Sequence, residues 1–393
     1  MVAGLIGCSP TKQGRAGGTS GQSANQKMGV EQQLEKSDAE APLVVGLQPL
    51  ALVDQVARVD WSLLNSIPGE RGGSQRVTPK ELERILAEVN LHILPQYGEA
   101  AAVRTLAGGS VANMIRGLAG SFHVPSAIVG TRGNDESGQM FNDSMKTSGV
   151  HLDRLRVKTG PTGQCVCLVD VEGNRTMRPC LSDAVRLQAS ELSQADFRGA
   201  KWIVLNGYGL YGEELVERAV DLAKKEGVQV AMDLSSFEVI RNFRPRLMKL
   251  LSSQQIDLCF ANEDEARELM RGSVNFNPEE GLAFLSNYCS WAVVMLGSKG
   301  CIASHKEKIV RVRAINVGEV VDTTGAGDLF ASGFLYGMLN QLSLEDCCKI
   351  GCCAGAAVVR ALGGEITKEN VRWMHKQLDL RCLPSKGVSI IYR

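Results

Sequence analysis

Short apolar segments alternate with amphipathic helical segments along most of the chain, and this alternation constrains the fold more than any other feature. One of the intervening segments, 213–226, carries its apolar residues on a single helical face and ends before Gly227. Continuous apolar strands separated by helices predict a parallel sheet covered on both faces. We therefore expect an α/β fold whose strands are residues 43–47, 127–130, 202–206, 228–233, 256–260 and 291–296.

Two stretches depart from this alternation. Residues 164–170 alternate in polarity and then turn through Glu172-Gly173-Asn174, which predicts a hairpin. The other stretch surrounds a charged helical segment at 79–89. Open parallel sheets bind ligands at the carboxyl ends of their strands. We expect both stretches, 57–102 and 163–180, to form a small lid over that edge.

The N-terminal segment has a different composition from the rest of the chain. It is rich in Gly, Ser, Gln and Lys, and residues 9–40 contain no aromatic residue. Such a segment cannot bury enough apolar surface to fold. We expect a disordered tail over 1–40, followed by one domain over 41–393. The sequence leaves open a targeting signal before Met28.

The bulk composition limits the classes of partner. The chain has 43 basic and 43 acidic residues, and it lacks an apolar run long enough to cross a bilayer, so we expect neither a nucleic-acid nor a membrane partner. Its 12 cysteines include a dense group at 347–353. We expect this group to pack as small hydrophobes, with a thiolate metal site as the alternative. Many free thiols are typical of a reducing compartment and predict a cytoplasmic protein.

One polar heptad combines features that phosphoryl transfer requires. Residues 322–328 read Asp-Thr-Thr-Gly-Ala-Gly-Asp and precede an apolar run with helical spacing. Small residues at a helix start leave backbone N–H groups free to hold an anion. Asp328 would be repelled by a bound phosphate, so it fits a general base better than a simple ligand. The alternative is a polar turn that only caps the helix.

Three weaker motifs also follow predicted strands. Gly108-Gly109 precedes a helix that carries Asn113, whose amide could bond hydroxyl groups. Asn262 and Glu265 begin another helix, where acids complement the helix dipole and where a carboxylate could order the water shell of Mg²⁺. Residues 297–300 could border a nucleotide or form a plain hairpin turn.

Together and in this order, the motifs resemble the ribokinase-like (PfkB) family of carbohydrate and nucleoside kinases. The resemblance runs from about Leu43 to Gly364, and its most specific part is residues 322–334, which read D-T-T-G-A-G-D-L-F-A-S-G-F. The family implies a three-layer α/β/α sheet with a small β lid. Its reaction transfers the γ-phosphoryl group of ATP, with Mg²⁺, to a primary hydroxyl. The sequence leaves open a monovalent cation and a monomer or homodimer.

The resemblance also implies residue roles. Asp328 corresponds to the catalytic base, and the amides of Gly325, Ala326 and Gly327 hold the transferring charge. The family's acceptor site corresponds to Gly108, Gly109 and Asn113. Its nucleotide and Mg²⁺ site corresponds to Asn262, Glu265 and Thr323, with Glu265 nearest the metal, and its adenine site to Gly297, Gly300, Ala354 and Ala357. The family's acceptor-binding Asp usually follows a strand glycine closely; here the candidate is Asp54, at a longer spacing from Gly46.

Two further segments favour a nucleoside acceptor. Residues 232–240 and Gln48-Pro49-Leu50 are similar to adenosine-kinase-like members of the family. They predict phosphorylation of a nucleoside 5′-hydroxyl, with fructose, ribose and related sugars as the alternative.

A different enzyme class competes on local evidence. Residues 207–212 read Gly-Tyr-Gly-Leu-Tyr-Gly after a strand, and Asp233 ends the next strand 21 residues beyond Gly212. This spacing is typical of NAD-binding dehydrogenases. A third possibility is a catalytically inactive kinase fold that acts as a binding module. The heptad at 322–328 favours the active kinase over both.

Overall fold

The computed structural model describes residues 43–92, 103–271 and 276–383. The predicted disordered tail therefore lies outside the described residues. The strands are β1 Val44–Gln48, β2 Leu52–Arg58, β3 Arg104–Gly108, β4 Ser126–Gly133, β5 Leu155–Lys158, β6 Gly163–Val169, β7 Arg175–Cys180, β8 Trp202–Asn206, β9 Gln229–Asp233, β10 Leu258–Asn262, β11 Trp291–Met295, β12 Cys301–His305 and β13 Lys308–Val312.

Between the strands lie helices, most of which begin at a polar capping residue. They are α1 Trp61–Ser66, α2 Pro79–His92, α3 Ser110–Arg116, α4 Glu136–Thr147, α5 Leu215–Lys225, α6 Phe237–Ser252, α7 Glu263–Leu269, α8 Pro278–Ser286, α9 Ala326–Leu339, α10 Leu344–Val358 and α11 Lys368–Asp379.

The larger sheet confirms the predicted α/β fold. Its nine strands lie in the order β13-β12-β11-β10-β9-β8-β1-β4-β5. All neighbours from β5 to β11 pair in parallel, and β12 and β13 extend the sheet by antiparallel pairing. Alternate residues of a strand point to opposite faces. Accordingly, Val44 lies in one hydrophobic core and Val45 in a second core across the sheet.

The helices on one face pack unusually closely. Gly333 and Gly337 of α9 face α10, where an added Cβ would lie 2.8 Å from the Ile350 carbonyl oxygen and 2.8 Å from Cys347 Sγ respectively. Only glycine allows this approach, which fixes the position of α9 against α10. The cysteines of α10 are buried free thiols within this core, as the sequence predicts.

A second, four-stranded sheet has the order β3-β2-β6-β7. The predicted hairpin joins β6 and β7, which pair antiparallel. Asp170 shapes its turn, because its Oδ1 accepts hydrogen bonds from the backbone N–H groups of Glu172 and Asn174, both at 2.9 Å. No helix among the described residues is long and apolar enough to cross a bilayer.

Candidate active site

A deep cleft lies at the carboxyl edge of the larger sheet and contains about 1070 Å³ of free space including its open mouth. Four neighbouring parallel strands end in polar residues that line it, namely Gln48 of β1, Asn206 of β8, Asp233 of β9 and Asn262 of β10. The position agrees with the general location of ligand sites in open parallel sheets.

The smaller sheet forms the facing wall. Its contribution includes Asp54 of β2, Cys165 of β6, and Arg175 and Met177 of β7. The side chain of Arg175 makes no salt bridge or hydrogen bond with any residue that the structure describes, yet its charge lowers the pKa of several carboxyls across the cleft. The cleft therefore contains a cation that is available to an anionic ligand.

Asp328 lies at the first turn of α9 and faces the cleft. Its Oδ1 accepts a hydrogen bond from the Ser110 hydroxyl and its Oδ2 accepts one from the Asn113 amide, both at 2.8 Å. Burial raises the pKa of Asp328, and these two donors oppose the increase. The carboxylate is thus held in one orientation by α3 and is more basic than a solvated aspartate.

Hydrogen bonds to the buried Asp322 carboxylate hold the loop before α9 in place. Asp322 is fully buried, and its carboxylate accepts hydrogen bonds from the backbone N–H of Thr324 at 2.8 Å and from that of Gly363 at 2.7 Å. Gly325 caps the helix with φ 77°, and a Cβ there would lie 2.8 Å from the Cα of Gly364. The conformation requires glycine. The N–H of Ala326 donates to the Thr323 carbonyl oxygen at 3.2 Å, so the N–H groups of Gly325 and Gly327 are the ones that can bind an anion here.

The cleft concentrates acidic groups. The pKa of Asp54 is raised to about 7, chiefly by burial and also by the charges of Asp328 and Asp322, while the charge of Arg116 opposes the increase. Burial and the charge of Asp328 raise the pKa of Asp233 as well. Carboxylates held this close repel one another, and a bound cation relieves that repulsion.

Asn262 and Glu265 cap α7 reciprocally. Asn262 Oδ1 accepts a hydrogen bond from the backbone N–H of Glu265, and Glu265 accepts bonds from the backbone and side-chain nitrogens of Asn262, at 2.7–2.8 Å. Burial and the charge of Asp233 raise the pKa of Glu265 well above its ordinary value. Because the carboxylate is already held by the cap, it suits contact with the water shell of a metal ion.

The structure brings many of the predicted site residues to the cleft. The lining includes Asp54, Gly109, Asn113, Asn262, Glu265, Gly325, Gly327 and Asp328. Gly108 lies directly behind Asp54, since a Cβ there would be 2.1 Å from the Asp54 Cγ. Ala326 is the first residue of α9. Thr323 bonds the Gly173 carbonyl oxygen through both its N–H and its hydroxyl, which joins the loop to the hairpin turn.

The predicted adenine-site residues lie outside this lining. Residues 297–300 form the turn of the antiparallel β11–β12 hairpin, which was the alternative interpretation. Ala354 and Ala357 are fully buried within α10. Neither presents surface to the cleft, because tight α9–α10 packing covers them, so the structure gives no support to an adenine contact at these two positions.

Several site residues were missed by the sequence analysis, and Asp233 was named only for the dehydrogenase alternative. Asn206 and Asp233 end neighbouring apolar strands, and this shared position could have placed both in the cleft. Arg116 is buried, donates to the Ala107 carbonyl oxygen at 2.8 Å and to Asn113 Oδ1 at 2.5 Å, and so orients the amide that bonds Asp328. Nothing in the sequence distinguishes Arg116 or Arg175 from other arginines.

The segment 207–212 does not form a dinucleotide-binding turn. Residues 207–211 are a 3₁₀ helix, Glu214 adopts a left-handed φ of 52°, and α5 begins only at Leu215. Gly207 allows close packing of the chain, since a Cβ there would lie 2.5 Å from the Leu234 carbonyl oxygen. The geometry gives no support to the dehydrogenase alternative.

Comparison with known proteins gives the family. The model of the pfkB family carbohydrate kinases matches residues 83–370. Adenosine kinase 2 of Arabidopsis thaliana is 27% identical over 69% of this chain and 84% of that protein. The ribokinase of the same plant is 28% identical over 70% of this chain and 73% of that protein.

Solved structures agree on the fold. Adenosine kinase from Sinorhizobium meliloti superposes with a TM-score of 0.77 at 27% identity, covering 86% of this chain and 99% of that one. A probable sugar kinase from Rhizobium etli CFN 42 gives the same values. With the family model, these likenesses show that the chain belongs to the pfkB family of carbohydrate kinases and is an ATP-dependent carbohydrate or nucleoside kinase.

Proposed function

We propose that this enzyme transfers the γ-phosphoryl group of ATP to the 5′-hydroxyl of a nucleoside, with Asp328 as the general base. The observation that carries the proposal is the position of Asp328, half-buried at the start of α9 and oriented by Ser110 and Asn113. Its carboxylate takes the proton of the acceptor hydroxyl. The acceptor oxygen then forms a bond to the γ-phosphorus, and the bond from that phosphorus to the bridging oxygen breaks to release ADP.

Positive potential around the transferring group comes from the chain itself. The N–H groups of Gly325 and Gly327 lie at the positive end of α9 and suit the charge on the equatorial oxygens, whereas the Ala326 N–H already donates to the Thr323 carbonyl oxygen. The guanidinium of Arg175, which has no partner among the described residues, faces the same cleft. Because the backbone N–H groups are fixed before the ligand binds, they stabilise the transition state without reorganising.

The acidic cluster fits a bound Mg²⁺. Burial and the charge of Asp328 raise the pKa of Asp233, and burial and the charge of Asp233 raise that of Glu265, so a divalent cation would relieve their repulsion. Glu265 would hold water molecules of the ion, and Asn262 and Thr323 would support the nucleotide. When bound, Mg²⁺ supplies charge neutralisation to the phosphates.

The smaller sheet would act as a lid, with β6 and β7 from the predicted segment 163–180. Its other strands, β2 and β3, flank the predicted segment 57–102, whose described residues to 92 form α1 and α2. On this sheet, Asp54 suits acceptor hydroxyls, because its buried carboxylate accepts no hydrogen bond from any described residue. Gly109 permits close approach, since its φ is 99° and a Cβ would lie 2.6 Å from the Gln48 side-chain nitrogen. The lid would exclude water from the phosphoryl transfer.

The chemistry of the cleft wall favours a nucleoside over a simple sugar. Beside the polar groups lie apolar and aromatic residues, namely Pro49, Leu52, Met177, Pro179, Leu181, Tyr208 and Tyr211. A sugar offers little apolar surface to such a wall, whereas a nucleobase does. A sugar acceptor remains the second candidate, because the Arabidopsis ribokinase matches the chain as well as adenosine kinase 2 does.

A competitive acceptor panel tests the proposal. Purified enzyme with MgATP, with and without K⁺, is offered adenosine, other nucleosides, ribose and fructose, and ADP formation and product mass are measured. We expect the highest kcat/KM for a nucleoside phosphorylated at its 5′ position. Turnover of sugars alone would establish the sugar kinase, and no transfer to any acceptor would favour the inactive binding module.

Two variants test whether the apolar wall of the cleft binds a nucleobase. Met177 lines the cleft from β7, and Met177→Ser removes apolar surface there. We expect about a 10-fold loss of nucleoside kcat/KM, corresponding to about 1.5 kcal/mol of apolar contact, with little change for ribose. Met140→Ser, on the exposed side of α4, is the control. Equal losses for nucleoside and ribose would contradict a base-binding wall.

A further inference from the structure

The cleft-facing side of the smaller sheet carries two thiols and a carboxylate at close range. Cys165 and Cys167 lie two residues apart on β6, so they point to the same face. Asp54 on β2 is the direct register partner of Cys165. The two Sγ atoms are 3.7 Å apart, and the ligand atoms of all three residues lie within 4.8 Å of one another.

This spacing fits a tetrahedral zinc ion. With Zn–S bonds of about 2.3 Å and tetrahedral angles, two thiolates on one Zn²⁺ stand about 3.8 Å apart. The observed Sγ–Sγ distance of 3.7 Å needs almost no rearrangement. Cys165 and Asp54 line the cleft, so an ion can enter from it and keep a fourth position open to a ligand from the cleft. Two sulfurs and one oxygen favour Zn²⁺ over Mg²⁺, which prefers oxygen ligands.

The electrostatic surroundings also favour a cation. The side chain of Asp54 is only 7% exposed, and no described residue donates a hydrogen bond to its carboxylate. The charges of Asp322 and Asp328 reach Asp54, and among the described residues the opposing charge is that of Arg116. The site therefore combines an unpartnered buried acid with a surplus of negative charge.

We propose that Asp54, Cys165 and Cys167 bind Zn²⁺ from the cleft and that the bound ion competes with the acceptor. Each thiol loses its proton to solvent as the ion binds, and no group is oxidised or reduced. The evidence for the metal site is the geometry of its three residues and does not depend on the proposed function. The competition rests on the proposed function, since it requires that Asp54 bind the acceptor.

Cobalt spectroscopy tests the metal site without any kinase assay. The full chain is titrated with Co²⁺ under reducing conditions, and the thiolate-to-metal charge-transfer absorption is followed, with Zn²⁺ added afterwards as competitor. We expect one equivalent of Co²⁺ with thiolate absorption, displaced by Zn²⁺. Both Cys165→Ser and Cys167→Ser should weaken binding by at least about 10–100-fold, the cost of losing even a supporting contact at a metal site.

The matched control is Cys352→Ser. Cys352 and Cys301 form another buried thiol pair with Sγ atoms 3.8 Å apart, but this pair is not part of a three-ligand group among the described residues. We expect Cys352→Ser to keep the cobalt absorption. Absence of thiolate absorption in the unmodified chain, or unchanged Co²⁺ affinity in both Cys165→Ser and Cys167→Ser, overturns the proposal. Asp54→Asn, which keeps both thiols, should bind Co²⁺ more weakly with the absorption retained, and unaltered affinity counts against the site.

A kinetic measurement separates the competition from the binding. Zn²⁺ should raise the acceptor KM of the unmodified enzyme at saturating MgATP while leaving kcat unchanged, and Cys167→Ser should lose this sensitivity. If Co²⁺ binds as expected but Zn²⁺ does not raise the acceptor KM, the site stands and the competition with the acceptor fails.

Discussion

Replacement of Asp328 by asparagine isolates the proposed base from the structure around it. The carboxylate accepts one bond from Ser110 and one from Asn113, both at 2.8 Å. In Asp328→Asn, the new Oδ1 can still accept from the Asn113 amide, and the new amide can donate to the Ser110 hydroxyl, which also accepts. The substitution thus keeps the size and the hydrogen bonds of the site and removes only the ability to take a proton.

The expected effects on rate and stability have opposite directions. Loss of a general base costs about 10²–10⁴-fold in kcat, which is about 2.7–5.4 kcal/mol of transition-state stabilisation. Burial raises the pKa of Asp328, so its charged form is disfavoured in the folded protein. Removing that charge should leave the melting temperature unchanged or raise it.

The assay measures ADP formation with saturating MgATP and the best acceptor, alongside thermal unfolding of the same preparations. Ser110→Ala is the control, because it removes one donor to the carboxylate but leaves the base in place, and its loss of kcat should be smaller. Near-normal turnover by Asp328→Asn would refute the assignment of the base. A large fall in melting temperature would refute the account of its burial.

Three further predictions concern the rest of the site. Asp54, with a folded pKa of about 7 against about 3.9 in the unfolded chain, keeps its proton better when folded. Its contribution to the unfolding free energy is therefore present below about pH 4 and is lost as the pH rises towards 7. Urea denaturation at a series of pH values should show this fall in the unfolding free energy, and Asp54→Asn should reduce it. Gly325→Ala should lower both turnover and stability more than Gly318→Ala, because both have φ near 78° but only Gly325 faces backbone, that of Gly364, within 4 Å. Asn262→Ala should cost about 1 kcal/mol in urea denaturation through loss of the α7 cap, and an unchanged midpoint would contradict the cap geometry.

The sequence by itself determined the local elements and the most specific motif. Apolar runs predicted six of the nine strands of the larger sheet to within a few residues, because a strand buried on both faces is apolar throughout. The runs did not predict β5, β12 and β13. Turn residues predicted the β6–β7 hairpin. Residues 322–328 predicted a helix start with bare backbone, since only small residues permit that conformation.

Tertiary structure decided which side chains meet. Asp328 bonds Asn113 across 215 residues of sequence, and Asp54 lies beside Cys165 only because β2 and β6 pair in that register. The packing of α9 against α10 buries Ala354, which the family resemblance had placed at the adenine site. Periodicity shows which face of an element is apolar, but it carries no information about which distant element covers that face or at which register, and those two choices set every distance in the active site.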